Sequence, residues 1–132
     1  MFEKDFSQYE KRNYFLYYNH VKICEVHPDY GVVSVDLTQD AMNLRGFVHG
    51  GLLFTLADCA AGVTARSLGE EFVTQNANVN FLSNVRSGRL SCRADVIKRG
   101  GRVTLLHVVI TNEDGKLLLD GTVSMFKVEK QA

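Results

Sequence analysis

Asp58 is the only charged side chain between His49 and Arg66, and it lies in the middle of the apolar stretch 50–65. An ionised carboxylate in an apolar interior is very costly unless it accepts hydrogen bonds, lines a polar cavity or is held protonated. Each of these arrangements is typical of an active site. The placement therefore predicts a buried carboxylate that takes part in chemistry. The alternative is a structural carboxylate paired across a subunit interface.

Length and composition indicate one small domain with no net charge. The chain has 132 residues, 45% of them hydrophobic, and only one proline, which predicts a single domain over residues 1–132. Lys and Arg number 15, Asp and Glu number 15, and the formal net charge is +0, so no global charge favours nucleic acid or an anionic membrane. No signal-peptide core or membrane-length apolar run is present in the sequence. We expect a cytoplasmic protein with neither nucleic acid nor membrane as a partner.

The three cysteines carry no recognisable motif. Cys24, Cys59 and Cys92 are odd in number and widely spaced, which indicates neither a disulfide framework nor a zinc knuckle. We interpret them as reduced packing residues, and we predict no metal site.

Periodicity predicts one buried helix and about six strands. Residues 1–20 form an N-terminal helical segment, with apolar residues at three- and four-residue spacings from 6 to 17. Residues 50–68 are rich in Leu and Ala and apolar on nearly every face, as in a buried helix. Strand-like runs cover residues 21–26, 31–37, 72–82, 90–99, 103–112 and 117–128. The sum is an α+β fold in which an antiparallel sheet wraps around a central apolar helix.

Two glycine-containing turns join the last three strands. They are Arg99-Gly100-Gly101-Arg102 and Glu113-Asp114-Gly115-Lys116. We expect hairpins at both places, because glycine supplies the positive φ that tight turns require.

The segment before the apolar helix carries a family resemblance. Residues 43–51 (Asn-Leu-Arg-Gly-Phe-Val-His-Gly-Gly), followed by Leu-Ala-Asp at 56–58, resemble the signature of hot-dog thioesterases of the phenylacetic-acid-degradation (PaaI-like) type. Residues 78–82 and 99–102 resemble later parts of that family, so the resemblance spans about residues 20–128. It implies the hot-dog fold and hydrolysis of an acyl-coenzyme A thioester to a free acid and CoA, with no cofactor other than the CoA of the substrate.

The resemblance also implies roles for individual residues. Asp58 matches the catalytic carboxylate, acting as nucleophile or general base, and Gly50 matches the residue whose backbone N–H polarises the thioester carbonyl. His49 and Asn43 match polar residues that shape the site, and Thr74 matches a residue that orients water. Each has a simpler alternative. A histidine at the position of His49 is more often a hydrogen-bonding brace than a base, Asn43 also suits a turn with no further role, and Thr74 also suits a strand with no further role.

The helix start suits a carbonyl oxygen, but not together with Asp58 of the same chain. Gly50 and Gly51 let a substrate approach the backbone, where unpaired N–H groups and the positive dipole end can face its carbonyl. Asp58 lies eight residues further on, roughly 12 Å along a helix, whereas both groups must approach one reacting carbon. Two antiparallel helices related by a twofold axis solve this problem. We therefore predict a homodimer, or a dimer of dimers, with shared sites.

Coenzyme A also needs a local basic patch, since the chain as a whole is neutral. Six Lys and Arg residues lie between positions 86 and 102, against one acidic residue, Asp95. We predict that the turn residues Arg86, Arg99 and Arg102 lie near phosphate. The alternative is that this cluster is a solvated face.

Two other functions remain open from the sequence. One is a non-catalytic acyl-CoA sensor, and the other, ranked lower, is an acyl-thioester hydratase. The acyl group is not specified, because Phe47, Phe54 and Phe81 could line an acyl pocket or could equally be core residues.

Overall fold

The computed structural model describes residues 2–131; the ends of the predicted domain, Met1 and Ala132, lie outside them. Three α-helices are formed: α1 (Phe6–Arg12), α2 (Tyr14–Tyr18) and α3 (Gly50–Ala65). The six strands are β1 (Lys22–Val26), β2 (Tyr30–Asp36), β3 (Glu71–Phe81), β4 (Arg89–Arg99), β5 (Val103–Asn112) and β6 (Leu117–Val128). Two short 3₁₀ helices follow β2 and α3, at Gln39–Ala41 and Arg66–Leu68. No helix within residues 2–131 is long and apolar enough to span a bilayer.

The strands form one antiparallel sheet in the order β1-β2-β4-β5-β6-β3, so β1 and β3 are its edges. Helix α3 contacts all six strands, and Leu53 and Leu56 of this helix are buried with Leu106, Val108 and Ile110 of β5. The α+β prediction of about six strands around a central apolar helix is confirmed.

One stripe of α3 is not covered by the sheet. Eleven of its sixteen residues are buried, but Gly51 and Phe54 are exposed and Thr55 and Asp58 are half-buried. Gly51 and Asp58 each lie three and four residues from Phe54 and Thr55, so the four residues share one side of the helix. The sequence prediction of burial on nearly every face was wrong for this side.

The N-terminal segment forms two short helices rather than one. Asn13, at φ −90° and ψ 83°, leaves the helical region and separates α1 from α2. Glu10 is buried, accepts a hydrogen bond of 2.6 Å from the Ile23 N–H, and lies 3.9 Å from the Lys22 ammonium group. The segment is therefore fastened to β1.

Strand β3 contains a bulge that changes which side chains face α3. Thr74 lies opposite Met125 of β6, whereas Ala77 lies opposite Val123, and Gln75 is the extra residue between the two registers. Met125 and Val123 are both buried, so Thr74 and Ala77 share the inner face although they are three residues apart. A strand without a bulge has a period of two and would place them on opposite faces.

Two local predictions need correction. Gly115 adopts the expected positive φ of 81°, but Gly100 and Gly101 do not; a side chain at Gly100 is instead excluded by the Val103 carbonyl oxygen, 2.8 Å from the position of a Cβ. All three cysteines are free, and Cys59 and Cys92 are buried as predicted. Cys24 is exposed, because it is the extra residue of a bulge in the edge strand β1.

A side chain at position 121 is expected to destabilise the fold strongly. A Cβ at this position would overlap the carbonyl oxygen of Asn78 and lie 2.8 Å from the Cα of Val79, both on β3. Since backbone cannot move aside as a flexible side chain can, Gly121→Ala is expected to lower the free energy of unfolding by about 1–3 kcal/mol. Urea denaturation measures this. Gly101→Ala is the matched control, because a Cβ there meets nothing within 4 Å; equal effects of the two substitutions would contradict the packing argument.

Candidate active site

Asp58 and Thr74 meet between α3 and the edge strand β3. The Thr74 hydroxyl donates a hydrogen bond of 2.5 Å to Oδ1 of Asp58, and the bulge at Gln75 is what leaves Thr74 on the inner face. Asp58 is half-buried rather than buried, so the prediction of a buried carboxylate was wrong. The reason is that Asp58 lies on the stripe of α3 that the sheet does not cover, which leaves its carboxylate accessible to a ligand.

The start of α3 has one occupied and one free backbone donor. His49 is the N-cap residue, and its Nδ1 accepts a hydrogen bond of 2.8 Å from the Gly51 N–H. The Gly50 N–H has no acceptor among residues 2–131. The two glycines are therefore not equivalent: Gly50 can donate to a ligand, whereas Gly51 is engaged by His49. This arrangement fits the brace role of His49, whose Nδ1 is an acceptor here.

Asn43 closes the loop before the helix. Its Oδ1 accepts hydrogen bonds from the backbone N–H groups of Arg45 at 2.9 Å and Phe47 at 3.1 Å. Gly46, at φ 77°, supplies the left-handed residue within this turn. Asn43 thus has the geometry of a turn residue, which was the alternative to a direct role in the site. It shapes the site by fixing the backbone of this loop.

Arg86 lies near the same end of the helix. Its guanidinium group stacks on the Phe47 ring, 4.0 Å from the centroid, and Nη1 donates to the Arg45 carbonyl oxygen at 2.9 Å. The Arg86 side chain, which we predicted to lie near phosphate, is therefore held against the loop that leads into α3.

Arg99 lies at the opposite end of α3. Its guanidinium group donates to the carbonyl oxygens of Ala65 at 3.0 Å, Thr64 at 3.2 Å and Pro28 at 2.8 Å. Positive charge at the carbonyl end of a helix is stabilising, so these contacts give Arg99 a structural role. Arg102 is exposed in the hairpin beside it. A single chain therefore does not bring Arg86 together with Arg99 and Arg102.

Asp58 and Thr74 line a cavity of about 200 Å³ between α3, β3 and the α1–α2 segment. Phe15, Phe54 and Met125 form apolar parts of its wall. A neighbouring cavity of about 270 Å³ contains His49 and Gly51 and shares Phe15 with the first. A larger space of about 650 Å³ lies away from Asp58, between α2 and β2. The polar groups and the apolar wall together make the 200 Å³ cavity the candidate active site.

Sequence reasoning missed Arg66, which also lines the Asp58 cavity. The available signal was its spacing: Arg66 follows Asp58 by eight residues, about two helical turns on the same side. It also missed Phe15, whose part in the wall depends on how the N-terminal segment packs.

Cys59 lies in the same cavity but is not a candidate nucleophile. Burial, and to a smaller extent the neighbouring Asp58 carboxylate, raise the pKa of its thiol to about 12. Only the thiolate is a good nucleophile, so Cys59 is unreactive at neutral pH. Within the described residues, no three His, Cys, Asp or Glu side chains converge as a metal-binding group.

The family model of the thioesterase superfamily matches residues 45–119, more than half of the chain. The protein therefore belongs to the thioesterase superfamily. It is similar to acyl-coenzyme A thioesterase PaaI of Escherichia coli, with 28% identity over 108 residues that cover 81% of this chain and 74% of that protein. It is equally similar, at 28% over 101 residues, to a 1,4-dihydroxy-2-naphthoyl-CoA hydrolase of Listeria monocytogenes, with coverage of 74% and 82%.

A structure of a hypothetical thioesterase from Streptococcus pneumoniae with coenzyme A has the same fold. It aligns with a TM-score of 0.79 and 27% identity, over 85% of this chain and 88% of that one. Further structures of the pneumococcal protein carry alanine in place of an aspartate and in place of a threonine 16 positions later. The predictions of a hot-dog fold and of a thioester hydrolase are confirmed.

The cysteine environments predict a simple chemical test. A thiol reagent such as DTNB should modify Cys24 rapidly in the native protein, because Cys24 is exposed while Cys59 and Cys92 are buried with raised pKa values. Absorbance at neutral pH should show one fast-reacting thiol, and all three in denaturant. Cys24→Ser should abolish the fast phase. A fast phase that survives in this variant would show that a buried cysteine is accessible.

Proposed function

We propose that this protein hydrolyses acyl-CoA thioesters at a site formed by Asp58 and Thr74 of one subunit and the Gly50 N–H of its partner. The observation that carries the proposal is the 2.5 Å hydrogen bond between Thr74 and Asp58 at an open cavity. The spacing of 16 residues between Asp58 and Thr74 equals that between the aspartate and threonine replaced in the pneumococcal thioesterase. The CoA in that protein's structure supports the same substrate class here.

The two halves of the proposed site supply complementary chemistry. Thr74 donates to Oδ1 of Asp58 and so fixes the carboxylate, while Oδ2 is left to attack the thioester carbon or to take a proton from attacking water. The free Gly50 N–H, at the positive end of the α3 dipole, stabilises the oxyanion that develops on the carbonyl oxygen. These groups suffice for both needs of the reaction, so the proposal includes neither metal nor cofactor.

The proposed site requires two chains. Gly50 and Asp58 lie on the same straight helix, roughly 12 Å apart along its axis. The uncovered stripe of α3 and the edge strand β3 offer a surface for a second copy, because Phe81 and Leu82 at the end of this strand are about half exposed. An eleven-residue edge strand left unpaired is prone to association. We therefore propose a homodimer, alone or within a dimer of dimers.

For the coenzyme A phosphates we propose Arg86 as a contact, because it lies beside the helix start that presents Gly50. Arg99 and Arg102 would have to come from the other subunit to reach the same ligand, and Arg99 already donates to three carbonyl oxygens.

Substitution of Asp58 tests the proposed nucleophile or base. Asp58→Asn keeps the shape but removes the nucleophile or base, so kcat for thiol release should fall by about 100-fold or more while acyl-CoA binding is retained. Thr74→Val should lower kcat by about 10-fold, since one hydrogen bond to a charged group is lost. Thr122→Val, on the outer face of β6, is the matched control and should be neutral. Undiminished turnover by Asp58→Asn would refute the assignment.

A heterodimer of two inactive variants tests whether the site is shared between subunits. Gly50 is the first residue of α3, where proline is well tolerated, and His49 before it has the extended ψ of 133° that a following proline requires. Gly50→Pro should therefore remove the N–H and the activity without unfolding the helix. A heterodimer of Gly50→Pro and Asp58→Asn subunits retains one intact site of two and should recover about half of the wild-type activity.

The heterodimer is isolated by co-expression with two different affinity tags, and thiol release is compared with both homodimeric variants. An inactive heterodimer would mean that Gly50 and Asp58 act within one chain, and a fully active monomer in sizing experiments would have the same meaning.

A further inference from the structure

The Asp58 cavity contains a positive charge that the proposed chemistry does not use. Arg66 directly follows α3, and its guanidinium group folds back along the helix. A Cβ placed on Gly62 would lie only 2.6 Å from Nη1 of Arg66, so the guanidinium occupies the space beside the glycine. Because Gly62 lies one turn beyond Asp58, the guanidinium is about 6 Å further along the helix than the carboxylate.

Most of the donors of Arg66 are free. Nη2 donates to the Phe72 carbonyl oxygen at 2.7 Å, and this is the one hydrogen bond of the guanidinium group to residues 2–131. No carboxylate of these residues lies within 4.0 Å of it. A guanidinium has five N–H donors, and a half-buried charge without an anion is unfavourable. The geometry therefore suits an anionic ligand group.

Part of the cavity wall is apolar. Phe15, Phe54 and Met125 line the cavity, together with Val63, and they can cover a few methylene groups. The offset of about 6 Å along the helix between Asp58 and the guanidinium matches the length of an acyl chain of about four or five carbons that lies parallel to the helix, given C–C bonds of about 1.5 Å. The cavity has a volume of about 200 Å³, and Arg66 and Tyr9 are among its lining residues.

We infer that this site selects short acyl groups that end in a carboxylate, which the Arg66 guanidinium binds. The inference rests on the proposed function, since it takes the thioester carbonyl to lie at Asp58. Arg66 would be a substrate-binding residue that sets specificity and would take no part in bond breaking. A planar guanidinium binds a carboxylate through two parallel hydrogen bonds. Nη2 carries two N–H groups and donates one to the Phe72 carbonyl oxygen, so its second N–H can form such a pair with a neighbouring donor, Nη1 or Nε.

Glutaryl-CoA and pentanoyl-CoA provide the test, because their acyl groups have the same number of carbons and differ in the terminal carboxylate. We expect the wild-type kcat/KM to be at least about 10-fold higher for glutaryl-CoA. Arg66→Gln should remove this preference, mainly by raising KM, and leave pentanoyl-CoA turnover within about threefold of the wild type. Arg66→Lys, which keeps the charge but not the fork geometry, should retain part of the preference.

Gly62→Ala is an independent test that keeps the arginine. The added methyl group displaces the guanidinium from its position beside residue 62, whereas its contact with Met125, at 3.7 Å, is ordinary. Alanine also favours a helix interior over glycine, so the thermal midpoint should not fall. The glutaryl preference should fall several-fold, with pentanoyl-CoA as the control for the smaller cavity.

The outcomes separate this inference from the proposed function. Equal or faster hydrolysis of pentanoyl-CoA by the wild type, or a glutaryl preference that survives Arg66→Gln, would refute the role of Arg66 while leaving the thioesterase site in place. Hydrolysis of other acyl-CoAs but of neither of these two would do the same. Failure to release thiol from any acyl-CoA would overturn both.

Discussion

The bulge in β3 is the constraint on which the site depends. This strand must present a hydroxyl to Asp58 near one end and apolar side chains to the core near the other. Strict alternation cannot do both, since Thr74 and Ala77 are separated by an odd number of positions. One additional residue, Gln75, changes the phase of the strand between them. The hydrogen bond between Thr74 and Asp58 and the inward packing of Ala77 against the sheet interior are thus consequences of the same irregularity.

Helix α3 is held by burial, which leaves its first turn free for function. Most of its side chains are enclosed by the sheet, so it does not need every terminal donor to be capped. At the far end, Arg99 donates to the last carbonyl oxygens of the helix and to Pro28, and so fixes the helix to the β1–β2 turn. At the near end, His49 caps Gly51, and the Gly50 N–H has no acceptor among residues 2–131. The helix therefore presents a positively polarised donor from a rigid element, as stabilisation of an oxyanion requires.

The sequence was most informative where the signal is local. The bounds of β5 and β6 were predicted without error and α3 began at the predicted residue, because alternation, helix periodicity and a glycine turn each depend on a few neighbouring residues. The family resemblance of the segment around Asp58 was equally clear from the sequence, because it depends only on residue types and their spacing. Thr74 was selected only from the family resemblance, as a residue that orients water. Its hydrogen bond with Asp58 was not predicted, because the alternation of a regular strand does not show where a bulge lies.

The errors have a common physical cause, which is that they depend on contacts distant in sequence. Asp58 is half-buried because the sheet leaves one side of α3 uncovered, and no local pattern shows where a sheet ends. Cys24 is exposed because β1 is bulged there. Arg99 resembles a free basic side chain in a hairpin until its distance to Thr64 and Ala65 is known. The single predicted N-terminal helix breaks at Asn13, which a weak periodicity could not locate.

Two parts of the chain line the cavity. One carries the groups of the proposed reaction, and the other supplies a wall of the proposed acyl site. Asp58, Thr74 and the Gly50 N–H all lie within residues 45–119, the part that matches the thioesterase superfamily. One wall of the cavity is supplied by Phe15 and its neighbours in α1 and α2, outside that part. Buried Glu10 fastens this segment to β1, so the wall is fixed by its own hydrogen bond rather than by the catalytic elements. Changes in residues 9–16 can therefore alter the shape of this wall while the groups of the proposed site, Asp58, Thr74 and the Gly50 N–H, remain in place.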